Sequence, residues 1–103
     1  MKSYEKITCA DGFKMSVQAS SFHYCEPRED VGPFTAVEVG YPSSKDSDLE
    51  KFAEDPGAPI EKGRDGTSSV QTVYGWVPSA VVMSLIKKHG GMVSGELPPL
   101  STG

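Results

Sequence analysis

Between residues 7 and 19 the chain alternates apolar and polar positions on both sides of a turn dipeptide, Asp11-Gly12 in "ITCADGFKMSVQA". Two hairpin registers compete. A two-residue loop pairs Cys9 with Lys14 and Ile7 with Ser16, which mixes apolar and polar side chains on one face. A three-residue loop, Ala10-Asp11-Gly12, pairs Cys9 with Phe13 and Ile7 with Met15. It collects Ile7, Cys9, Phe13, Met15, Val17 and Ala19 on one face and Lys6, Thr8, Lys14, Ser16 and Gln18 on the other. A slip of one residue would send every side chain to the wrong face. The three-residue loop is therefore expected, with Gly12 in the left-handed position of a bulge and Cys9 pointing inward.

"FTAVEVGY", Phe34 to Tyr41, reads as a third strand with Val37, Val39 and Tyr41 on one side and Phe34, Ala36 and Glu38 on the other; Pro42 ends it. "SDLEKFAED" carries the capping-box spacing Ser47-x-x-Glu50 ahead of Leu49 and Phe52 and predicts a short helix over about 48–54. Residues 56–67 are turn chemistry throughout and read as a mobile loop. Ser68 to Val77 reads as a fourth strand that places Val70, Thr72, Tyr74 and Trp76 on one face, with Gly75 marking a bulge or a close backbone approach. "VPSAVVMSLIKKHGG" is the strongest helix signal. Pro78 suits the first helical position, Lys87, Lys88 and His89 the last turn, and Gly90 the residue after the C-cap. Val81, Val82, Leu85, Ile86 and His89 form its apolar stripe.

These elements predict an α+β fold: an antiparallel sheet of about four strands, a short crossover helix, and a C-terminal helix packed on one face. Residues 1–91 form the single domain and 92–103 an extended tail. Tyr74 and Trp76 are expected to anchor the core or its rim.

Length and charge then narrow the function classes. A chain of 103 residues holds one modest core. Gly and Pro number 11 and 8, which argues for many turns and against a helical bundle. The net charge is −4, and only Lys87 and Lys88 are adjacent cations. Direct nucleic-acid binding needs clustered Lys and Arg and is not expected. No apolar run approaches the roughly 20 residues of a membrane span, and the N-terminus shows no signal-peptide core. A cytosolic protein with two free thiols is expected.

The soft ligands are Cys9, His23, Cys25 and His89. Two Cys and two His match a structural zinc site in number, but no C-x-x-C or H-x-x-x-H spacing is present. If 21–25 is extended, His23 and Cys25 share a face, and with Cys9 and His89 both directed inward the four could converge. The same residues also fit two buried thiols and two histidines, one of them at a helix end. A Cys25–His23 nucleophile pair is looser, since residues two apart on a strand lie about 6–7 Å apart. The paired carboxylates Glu29-Asp30 and Glu54-Asp55, and those within Asp46–Glu50, fall in loops or helix starts. No cofactor motif is present; "KGRDGTSS" lacks the strand–loop–helix setting of a phosphate loop.

Taken together, "ITCADGFKMSVQAS", "HYCEPR", "GPFTAVEVGYPS", "AEDP", "VYGWVP" and "HGGMVSGELPPL" resemble a loose set of short proteins encoded by tailed bacteriophages, over most of residues 7–100. The set has no assigned activity, so no functional residue carries over. The resemblance implies an accessory protein in the host bacterial cytoplasm. Small acidic phage proteins of this kind often inhibit a host defence component such as a CRISPR effector, and others bind a nucleotide signal. The expected function is a non-enzymatic inhibitor that binds a host protein. The alternatives are an oligomeric binder of a small ligand or nucleotide and a minor virion-assembly protein. Candidate contact residues are Phe34 and Glu38 on one sheet face, and Arg28, Arg64, Tyr24 and Trp76 for anion and base contacts.

Overall fold

The protein is described here by a computed structural model over residues 2–101. Its fold is α+β. Five antiparallel strands form one sheet in the order β6-β3-β2-β1-β7: β1 Ile7–Cys9, β2 Lys14–Gln18, β3 Ala36–Gly40, β6 Val73–Pro78 and β7 Met92–Ser94. A second, two-stranded sheet pairs β4 Ile60–Lys62 with β5 Ser68–Val70. One helix, α1 Ser79–Lys88, follows β6 directly. Among the described residues no helix is long and apolar enough to cross a membrane.

The β1–β2 hairpin has the register that keeps its faces unmixed. Ile7 pairs with Met15, the Cys9 N–H donates to the Phe13 carbonyl at 2.8 Å, and Gly12 has φ +94. Ile7, Cys9, Phe13, Met15, Val17 and Ala19 are all buried. Val82 and Leu85 bring the stripe of α1 onto this core, with Val81 and Ile86 at its margin. The helix ends as its glycines direct: Gly90 has φ +91 and donates to the Lys87 carbonyl, and the Gly91 N–H returns to Ile86. These are the two bonds of a Schellman cap. Pro78 pairs with Ala36 as the last residue of β6, so the helix starts at Ser79 instead.

Four of the expected elements change. The helix over 48–54 is only a 3-10 turn at Glu50–Phe52 without a side-chain cap. The reason is pairing: the chain is extended at Ala53, which bridges Tyr74, and the Glu54 N–H donates to Val73, so the edge of β6 takes the residues a longer helix would need. Residues 56–67 are not a bare loop but contain β4 and its turn into β5. The strand expected over 68–77 is two strands, split where the Thr72 N–H turns back to the Val70 carbonyl. Finally, 92–101 is more than an extended tail. β7 completes the sheet beside β1, and farther on the Phe34 N–H donates to Pro99 while Ser101 donates to Phe34. Gly95 permits the crossing, because a Cβ there would stand 2.5 Å from both the Ile7 Cα and the Lys6 carbonyl oxygen. The last two residues of the expected tail lie outside the described residues.

Candidate functional site

The bulge marked by Gly75 has a consequence that alternation alone does not show. Val37 faces Val77 and Val39 faces Tyr74, so Glu38 alone opposes both Gly75 and Trp76. Inserting one residue reverses the face of everything beyond it. Tyr74 is fully buried as expected, whereas Trp76 is turned outward at 53% exposure with φ +49. Tyr41, expected inward beside Val39, is likewise exposed and left-handed at φ +48.

Residues 21–25 lie across this bulge as a strap. They are turns, not an extended segment. The Tyr24 N–H donates to Glu38 Oε2 at 3.0 Å, and its carbonyl accepts from the Trp76 N–H at 3.0 Å. Ser21 fastens the start of the strap through two bonds to Asp30 Oδ1. These bonds hold the Asp30 carboxyl below the usual carboxylate range. Tyr24 stacks on Trp76 with centroids 4.9 Å apart, and the Arg28 guanidinium carbon lies 5.7 Å over the Tyr24 ring. Gly75 leaves room for this ring: an added Cβ would come within 3.3 Å of Tyr24 Cβ. Tyr24, Gly75 and Trp76, with Phe52 and Glu54, line an open cleft of about 310 Å³.

The structure therefore joins four of the six candidate contact residues: Tyr24, Arg28, Glu38 and Trp76. Glu38 holds the strap rather than facing solvent freely. Arg64 lies exposed in the turn between β4 and β5, outside the cleft lining. Phe34 is completely buried beneath the tail and offers no contact surface. Phe52 and Glu54 were missed because 48–54 read as a helix; as residues two apart around an extended Ala53, they fall on one side of the chain.

The energetics of Trp76 distinguish it from a core anchor. Removing somewhat less than half of a tryptophan from water, on the order of 100 Å², stabilises by about 2.5 kcal/mol. A left-handed backbone at a non-glycine residue costs about 1–2 kcal/mol. The two nearly cancel, and strained residues of this kind gather at functional sites.

The four soft ligands do not converge. Among the described residues no group of three or more His, Cys, Asp or Glu side chains is placed to hold a metal ion. Cys25 Sγ donates to the carbonyls of Ser20 and Pro27 at 3.1 and 3.3 Å, and His23 bonds the Ser20 hydroxyl at 2.6 Å instead of the thiol. Burial pushes the Cys25 thiol up, as it does Cys9, with the Asp11 charge adding to the rise at Cys9. Both are buried free thiols rather than thiolates.

His89 is committed elsewhere. It stacks on Phe13 with centroids 4.0 Å apart and an interplanar angle of 8°. Its Nδ1 meets Asp11 Oδ2 at 2.6 Å and its Nε2 meets Asp46 Oδ2 at 2.9 Å. Lys88 Nζ reaches Asp46 at 3.0 Å and Asp48 at 3.3 Å. Burial pulls the His89 pKa down, but the two carboxylate hydrogen bonds outweigh it and hold it above the usual histidine value. Burial likewise pushes Asp46 up, and bonds from the Asp48 N–H, His89 and Lys88 overcome it. With both ring nitrogens engaged, His89 ties the end of α1 to the hairpin and to the 46–48 segment.

No family model matches the chain, and no curated protein or solved structure matches it either.

Proposed function

We propose that the protein is a non-enzymatic binding protein that docks a host protein through the Tyr24–Trp76 face and blocks it, as an accessory, anti-defence factor of a bacteriophage. One observation carries this reading: Trp76 is held half-exposed in a costly backbone conformation and backed by Tyr24. Exposed, rigid tryptophan and tyrosine are the residues that dominate protein–protein hot spots. The phage context is supported by the sequence resemblance described above.

The test is capture from lysate of the infected host, with the wild-type chain and two variants. Wild type is expected to recover one stoichiometric host protein. Trp76→Gly, which suits the left-handed backbone, is expected to reduce recovery more than tenfold, as hot-spot truncations do. Arg64→Ala, outside the cleft, is expected to leave recovery unchanged. Recovery of capsid or tail proteins alone, or equal capture by Trp76→Gly, sinks the reading.

A further inference from the structure

We propose that the cleft beside Trp76 receives a single cationic side chain, an arginine, presented by the protein partner; this rests on the docking reading and names the chemistry that the face selects. The walls supply three aromatic rings, Tyr24, Phe52 and Trp76, and one carboxylate, Glu54, with no basic side chain among them. The negative face of an aromatic ring attracts a cation, and tryptophan does so most strongly. The neighbouring rings already serve in this way inside the chain. Arg28 lies over Tyr24, and Lys51 Nζ lies 5.3 Å from the centre of Phe52. Among the described residues no cation lies over Trp76.

Size and charge then choose the occupant. About 310 Å³ is at the bottom of the roughly 300–1,000 Å³ range of small-molecule sites. It suits one side chain, and the wall beside Trp76 offers that side chain a carboxylate, Glu54. Arginine fits better than lysine, because its planar guanidinium stacks on an indole while its paired N–H groups meet a carboxylate. The net charge of −4 favours approach of a basic partner surface.

Trp76 is the chain's single tryptophan, so its fluorescence reports on this cleft alone. The probes are N-acetyl-arginine amide, its neutral isostere N-acetyl-citrulline amide, and AMP. A saturable change is expected with the arginine probe, with a Kd of about 1–10 mM, the scale of one cation–π contact plus one charged hydrogen-bond pair. The citrulline probe and AMP are expected to leave the signal unchanged. Glu54→Gln is expected to weaken the arginine probe about tenfold. Glu54 is exposed, so its thermal unfolding should match wild type. A citrulline response equal to that of arginine, tighter binding of AMP, no saturable response to arginine, or an unaltered Glu54→Gln overturns the inference. If host-protein capture depends on Trp76 while the arginine probe gives no response, the arginine site falls and the docking reading stands. If the probe binds while Trp76→Gly still captures the host protein, the docking reading falls and the arginine site stands.

Discussion

Two aromatic stacks sit at the two ends of β2. At its start, Phe13 lies flat on His89; at its far end, beside the Gln18–Glu38 pair, Tyr24 lies on Trp76. The first is saturated. His89 is largely covered, both of its ring nitrogens meet carboxylates, and the backbone around it follows an ordinary helix cap. The second is unfinished: its outer ring is half in water, its backbone is left-handed, and a cleft opens beside it. Ring stacking alone thus does not separate a saturated contact from an unsaturated one. The difference lies in whether the polar and apolar surface of the pair is already satisfied within the chain.

That contrast breaks most visibly at Asp46. Its carboxylate is nearly covered and holds both His89 and Lys88. Asp46→Ala should lower unfolding stability by about 2 kcal/mol, because the Asp48 N–H, His89 and Lys88 each lose a hydrogen bond at a covered site, while His89 keeps Asp11 and Lys88 keeps Asp48; urea denaturation measures it. A smaller effect comes from pH. His89 has a raised pKa, so its contribution is full below the ordinary histidine value of 6.5 and is lost as pH rises through the folded value. Asp46 and Asp11 have lowered pKa values, so theirs is present above the ordinary 3.8 and is lost as pH falls. The latch is therefore strongest between these limits. The melting temperature should fall by a few degrees between pH 5.5 and pH 8.5, and His89→Gln should flatten that slope. A slope unchanged in the variant would assign the pH dependence to other groups. The smallest effect belongs to the other stack. Trp76→Gly should shift stability by no more than about 1 kcal/mol, since strain relief offsets lost burial. A loss above about 3 kcal/mol would make Trp76 an ordinary packing residue and erase the contrast.

The hairpin was legible because only one register kept its faces unmixed, and α1 because its stripe and its glycine stop agree. The bulge was legible at Gly75, but its effect was not: counting by twos through residue 75 sends Trp76 inward, whereas the extra residue turns it out. Phe34 was misplaced for a different reason. Its backbone pairs with 99–101, and nothing in "PPLS" signals an attachment so far back along the chain. The partners of His89 were equally hidden, at 78 and 43 residues' separation. Local pattern carried the strands and the helix, while the site depends on one inserted residue and on pairings between distant segments.

Because β1 takes one neighbour from residues 14–18 and the other from 92–94, and the Phe34 backbone pairs with Pro99 and Ser101, the order of synthesis matters. A ribosome makes the hairpin well before it makes residues 92–101, so the nascent chain carries a bare β1 edge and an unpaired Phe34 backbone until those residues have emerged. Such edges are the places where chains stick to one another. Yield in the cell should therefore respond more sharply to lesions in 92–101 than the stability of the finished protein does.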